Sequence, residues 1–170
     1  WSSDVCSSDL KKGDQVLIGQ KIGKSTSYYS SDVHSSVCGE VLSVEEAPHP
    51  NGNKVMSVAI QPTDSLETAE FVPKENASPE ELITLMQEAG IVEHYGAPTH
   101  TVLKPEGKNI DIVLINSTSS EWIGGKYKTP KEYADQMMDA LKLLMKAAGA
   151  SKGAIIVRKD DKESIEAFEG

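Results

Sequence analysis

A chain of 170 residues with 38% hydrophobic and 25% charged residues has a globular composition and room for one ordinary domain or two small ones. Its net charge of -9 argues against nucleic acid as a partner, because binding a phosphate backbone needs a basic face. No apolar run approaches the roughly 20 residues needed to cross a bilayer. Two cysteines, Cys6 and Cys38, are too few for a disulfide framework or an iron–sulfur site and favour a reducing compartment.

The first ten residues, Trp1 to Leu10, have no start methionine, no periodicity and no turn chemistry, and they resemble translated sequencing-adapter DNA. They are expected to be a non-native leader and are set aside from fold reasoning. Without them the net charge is -7, from 24 acidic and 17 basic residues.

From Lys11 to Gln61 short β-branched or alternating runs (Gln15 to Ile18, Gly39 to Glu45, Lys54 to Ile60) are separated by Gly, Ser, Pro and Asn clusters. Helical periodicity is absent, which predicts a compact all-β module over 11–61. Gly13-Asp14 and Asn51-Gly52 supply its turns. The paired phrases Gly13 to Ile22 and Val33 to Val41 look like the halves of a barrel-sandwich hybrid, the fold of biotinyl and lipoyl carriers. The stretch between the halves, Ser25 to Ser36, holds no lysine, so no prosthetic arm can be mounted there. His34 and Cys38, four apart on a strand, would stand roughly 13 Å from each other, and two ligands are too few for structural zinc. Packing is the expected role of both, and His49, between Pro48 and Pro50, reads as a turn residue.

Residues 62–77 are polar, contain two prolines, Pro62 and Pro73, and read as a linker. Residues 78–170 carry the pattern of an α/β domain that stops before it is complete. Ser78-Pro79-Glu80-Glu81 is a capping box with Pro at the first helical position. Leu82, Leu85, Met86 and Ala89 are then expected to line one face, with Gly90 as the stop. Ile110 to Ile115 reads as a buried parallel strand. Thr129-Pro130-Lys131-Glu132 is a second capping box, followed by a helix with Tyr133, Met137, Leu141, Leu144, Met145 and Ala148 on one face and Gly149 at its end. The methionines read as core filler. A strand over Ala154 to Val157 and a helix over Lys162 to Phe168 complete the order helix, strand, helix, strand, helix, so the fold class is α+β: an all-β module, then a parallel-sheet α/β layer. Ligands in such layers bind beyond the carboxyl ends of the strands, which points to the loops Ile91 to Pro105 and Asn116 to Lys128. Gly124-Gly125-Lys126 lacks the rest of a P-loop and reads as a flexible loop.

Taken in order, these phrases resemble the RnfC family, the C subunits of Rnf electron-transport complexes, whose flavin domain is similar to the NADH- and FMN-binding subunit of respiratory complex I. The resemblance rests on KxGDxVxxGQxIG at Lys11 to Gly23, VHxSVxGxV at Val33 to Val41, and HPxGxK at His49 to Lys54. It continues through Ala89-Gly90-Ile91-Val92, Pro98-Thr99-His100, the strand ending at Asn116, and Leu141 to Val157. The resemblance implies electron transfer among NADH, FMN and ferredoxin, iron–sulfur clusters held in a region this chain does not carry, and other subunits of a membrane-associated complex as partners. It also implies a place on the cytoplasmic face of the inner membrane, and a chain that is a fragment of such a subunit.

By resemblance the cofactor-binding candidates are Gly96, Ala97, Thr99, Lys104, Asn116 and Glu121; no catalytic or metal residue is assigned. Relatives carry GxGGAxFPTH where this chain reads Glu93-His94-Tyr95-Gly96-Ala97-Pro98-Thr99-His100, about two residues shorter and with one glycine. Glycines let backbone amides approach a phosphate, while Glu93 would repel it. Relatives read NGAECEP where Asn116-Ser117-Thr118-Ser119-Ser120-Glu121-Trp122 stands here. Degenerate flavin-binding loops are therefore expected, with a flavin-free docking or structural paralogue as the alternative. His94 and His100 read as hydrogen-bonding residues rather than acid–base catalysts.

Overall fold

The computed structural model describes residues 6–49, 52–93, 96–118 and 133–169, without the side chains of Cys6 and Ser7. The chain divides into two compact units, 1–102 and 103–170. Among the described residues no helix is long and apolar enough to cross a membrane.

The first unit is built on two three-stranded antiparallel sheets. One has the order β1 (Cys6–Ser7), β3 (Lys21–Ser25), β4 (Val33–His34); the other has β2 (Gln15–Val16), β5 (Gly39–Pro48), β6 (Lys54–Pro62). Along the start of β5 buried and exposed residues alternate, Gly39 and Val41 inward and Glu40 and Leu42 outward, as a strand with one covered face requires. Between Val41 and Ser43 the register with β6 slips past one extra residue, Leu42, a β-bulge that leaves it half-exposed. Val16, Cys38, Val41 and Val55 are buried apolar residues of this β part, and Ala77, Ile83 and Met86 are buried further along the first unit.

Two differences from the sequence reading lie here. Cys6–Ser7, set aside with the leader, pairs with Ser25 and Lys24 of β3, because main-chain pairing needs no side-chain pattern. The segment read as a linker is partly stitched to the β-module: Thr63 N donates to Cys38 O at 2.9 Å, Ile18 N to Glu67 O at 3.1 Å, and Ala69 N to Ile18 O at 2.8 Å. Beyond that seam Phe71 and Val72 are exposed.

Helix α1 (Pro79–Glu88) has the capping box its sequence spells out: Ser78 Oγ accepts from Glu81 N, and the Glu81 carboxylate accepts from Ser78 N. Lys74 and Ser78 hold the Glu81 carboxyl below its ordinary value. The helix ends in a Schellman motif, with Gly90 N donating to Gln87 O and Ile91 N to Met86 O. Its buried residues are Ile83 and Met86, whereas Leu82 and Leu85 are half-buried and Ala89 is exposed, so the inward face is rotated from the one periodicity indicated. The reason is that α1 packs against β3 within the first unit, and Gln87 of the helix must face the β3–β4 hairpin. Gly90 has φ +70°, and a Cβ there would stand 2.6 Å from Asp32 O, so both conformation and space demand glycine.

In the second unit β7 (Ile112–Asn116) and β8 (Lys152–Ile156) pair in parallel, and α3 (Ala134–Ala148) packs on them through Leu141 and Met145 opposite Gly153. The other face of the pair, with Ile112, Leu114 and Ile156, is exposed. Gly149 is left-handed and closes α3 through Gly149 N to Lys146 O and Ala150 N to Met145 O. The second capping box, Thr129 to Glu132, lies outside the described residues. Helix α4 (Lys162–Glu169) is capped by Asp161, whose carboxylate accepts from Ser164 N at 3.1 Å and Ser164 Oγ at 2.6 Å. Those bonds hold the Asp161 carboxyl below its ordinary value.

Candidate functional site

Once α1 ends, the chain doubles back on itself. Val92 and Pro98 form an antiparallel bridge, Glu93 N donates to Ala97 O at 2.7 Å, and Gly96 N donates to Glu93 O at 2.6 Å with Gly96 at φ +85°. Thr99 N donates to Ile91 O at 3.0 Å and opens α2 (Thr99–Leu103), where Thr101 donates through both N and Oγ1 to Pro98 O. Gly96, Ala97 and Thr99 are thus brought together in one closed turn. Thr99 is buried, and His100 is fully buried.

The remaining candidates belong to the second unit. Lys104 follows α2 and is exposed. Asn116 ends β7 opposite Ile156, and its Oδ1 accepts from Thr118 N at 3.0 Å and Thr118 Oγ1 at 2.7 Å. Ser117 donates through N and Oγ to Ile156 O. The strand end therefore satisfies itself locally, in an Asx turn. Glu121, His94, Tyr95 and Gly124 to Lys126 lie outside the described residues.

A second constellation surrounds the β3–β4 hairpin tip, where a carrier domain would mount its lysine. Gln87 Nε2 of α1 reaches Ser27 O at 2.9 Å, Ser30 O at 3.0 Å and Ser25 Oγ at 3.2 Å, and Asp32 N donates to Gln87 O. Asp32, buried, accepts from Ser25 N at 2.7 Å and pairs with Lys21 Nζ at 2.6 Å. His100 Nε2 donates to Tyr28 O at 2.6 Å, since a carbonyl can only accept. The Tyr28 and His100 rings meet edge to face, with centroids 5.2 Å apart. Sequence reasoning singled out none of Tyr28, Asp32 and Gln87. The available signal was a Ser/Tyr-rich hairpin tip closed by an Asp, and it names no partner 60 residues away.

Two further points bear on chemistry. Cys38 is buried and its Sγ donates to Glu67 O at 3.0 Å, and His34 lies apart from it in β4. Among the described residues no group of three or more His, Cys, Asp or Glu side chains is placed to share a metal.

A flavin phosphate needs outward-pointing amides without carboxylates beside them. In this turn the amides of Glu93, Gly96 and Thr99 are committed to internal carbonyls, and Pro98 has none to offer. Those three amides are therefore not offered to a phosphate in this conformation.

Residues 4–65 match the family model of the RnfC barrel sandwich hybrid domain, and residues 86–170 match that of the Nuo51 FMN-binding domain. The C subunit of the ion-translocating oxidoreductase complex of Methanosarcina acetivorans is 42% identical over 164 residues, covering 96% of this chain and 36% of that protein. The C subunit of the Na(+)-translocating ferredoxin:NAD(+) oxidoreductase complex of Acetobacterium woodii is 36% identical over 172 residues, covering 96% of this chain and 39% of that protein. Its counterpart in the proton-translocating ferredoxin:NAD(+) oxidoreductase complex of Clostridium ljungdahlii is 29% identical, with 95% of this chain and 38% of that protein covered. The chain spans less than two fifths of the length of these curated relatives.

Proposed function

The chain belongs to the RnfC-like family, with an RnfC-type barrel-sandwich hybrid followed by a Nuo51-type FMN-binding domain, and from that premise we propose that it serves in a peripheral subunit of an ion-translocating ferredoxin:NAD oxidoreductase. The observation that carries the reading is the order of the two domain types along one chain, shared with RnfC relatives over nearly its whole length. Its partners are the other subunits of that membrane-associated complex, and its place is the cytoplasmic face. The relatives from Acetobacterium woodii and Clostridium ljungdahlii are subunits of ferredoxin:NAD(+) oxidoreductase complexes, and the second domain type is an FMN-binding one, so the redox chemistry served is that between NAD and ferredoxin.

This chain's own contribution is a frame. What supports this is that the Gly96 and Thr99 amides are bonded to Glu93 O and Ile91 O and that Asn116 at its strand end closes an Asx turn. These loops are degenerate with respect to flavin, and the chain works as the docking and structural part of the assembly. No electron-transfer step is assigned to its residues.

The test is flavin stoichiometry. The full chain is incubated with excess FMN at neutral pH, desalted, and its visible absorbance read against protein concentration. Less than a tenth of an equivalent is the expected outcome, in line with a site lacking its phosphate donors. One equivalent of FMN per chain sinks the degenerate-loop reading.

A further inference from the structure

The hairpin tip and the closed turn are joined through His100. His100 follows Thr99, whose amide closes the turn onto Ile91, and His100 Nε2 reaches across to Tyr28 O at the tip. The tip is itself held to α1 by Gln87, and its root is closed within the hairpin by the Asp32–Lys21 pair. Nε2 is committed to that carbonyl, so the other ring nitrogen, Nδ1, must find a partner of its own. That Nδ1 is buried and meets no hydrogen-bond donor among the described residues. A buried polar atom left without a partner is costly, and the bond to Tyr28 and the edge-to-face contact offset that cost.

We propose that the β3–β4 hairpin tip, through the Tyr28 carbonyl and His100, is a strap that keeps the Ile91–Thr99 turn closed. The turn cannot open and free the Glu93, Gly96 and Thr99 amides while this bond is made. The site where a carrier fold mounts a swinging arm is used here as an anchor on the loop that relatives shape as a glycine-rich cradle. The inference concerns the same loop as the functional reading above and rests on its being closed, though not on whether the chain binds flavin.

Amide hydrogen exchange in the full chain, without FMN, tests it. His100→Leu removes the donor and keeps an apolar body; His100→Gln restores a donor of similar reach. Exchange of the Gly96 and Thr99 amides is expected to be ~10-fold faster or more in His100→Leu and to return to within about threefold of the parent in His100→Gln. The Thr63 amide, bonded to Cys38 O, is the reference and should not change. Unchanged exchange at Gly96 and Thr99, or an equal rise at Thr63, overturns the strap. If His100→Leu does not fold, the 15N spectrum of the unsubstituted chain decides. A slowly exchanging Nε2–H tautomer of His100 supports the proposal, and an Nδ1–H tautomer or a rapidly exchanging ring proton overturns it. Stoichiometric FMN binding by the unsubstituted chain would defeat the degenerate-loop reading alone, since the strap is judged by exchange.

Discussion

The two units are held together by different kinds of bond. In the first, polar side chains bridge long stretches of sequence: Gln87 to Ser27 and Ser30, His100 to Tyr28, Cys38 to Glu67. In the second, polar side-chain bonds are mostly short-range, as in Asp161 with Ser164, Asn116 with Thr118, and Arg158 with Asp160, while apolar contact between α3 and the β7–β8 pair joins distant segments. Non-local polar bonds select one arrangement of loops and are unforgiving when a partner is lost, because the remaining group is buried and unpaired. Local bonds tune the ends of helices and strands and can be lost at small cost. The first unit should therefore respond to polar deletions and the second to changes of volume.

The largest expected effect is at Asp32. Asp32→Ala leaves the Ser25 amide and the Lys21 ammonium without their carboxylate at the root of the hairpin tip, and should cost the first unit ~3 kcal/mol by denaturant unfolding. A loss below about 0.5 kcal/mol would show that the polar bridges do not organise this unit. Gly153→Ala comes next. The added methyl would stand 2.5 Å from Met145 Sδ and 3.0 Å from a Leu141 methyl, and since both are ends of flexible side chains that can shift, the overpacking is expected to cost about 1 kcal/mol. Its effect should be confined to the second unit, seen as faster exchange on β7 and β8 with β5 and β6 unchanged. Ser78→Ala removes half of the α1 capping box and should cost about 1 kcal/mol, read from the same unfolding curve.

Acid titration gives the smallest and most local response. Glu81 and Asp161 are held below their ordinary values, by Lys74 and Ser78 in one case and by Ser164 in the other. A carboxyl depressed in the folded state stabilises at neutral pH, and that contribution is lost as pH falls from the usual carboxylate range through the folded value. The first turns of α1 and α4 should fray over that window, visible as faster exchange at Glu81 and Ser164. Asp160, beside Arg158, should keep its charge until about pH 2. Fraying that starts above the ordinary carboxylate range would contradict the assignment.

What could be read in the sequence divides along the same line. The capping box at Ser78, the stops at Gly90 and Gly149, and the β-branched runs that became β5, β6, β7 and β8 are local signals, and the structure carries all of them. The inward face of α1 was not legible, because Ile83 rather than Leu82 is turned inward by what Gln87 must reach. Strand β1 and the seam from Thr63 to Ala69 are main-chain pairings, which have no side-chain signature. Residues 96–99 could be read as a loop with too few glycines, but its closure onto Ile91 and Glu93 could not, for the same reason. The bond from His100 to Tyr28 spans 72 positions and repeats with no period.

The most direct measurement is a titration of the 15N-labelled full chain with FMN, watched at the amides of Gly96, Ala97, Thr99 and Asn116. A frame with closed loops predicts no saturable shift at these four amides up to millimolar FMN. Saturating shifts at Gly96, Ala97 and Thr99 together with Asn116 would show a working flavin site and contradict the account.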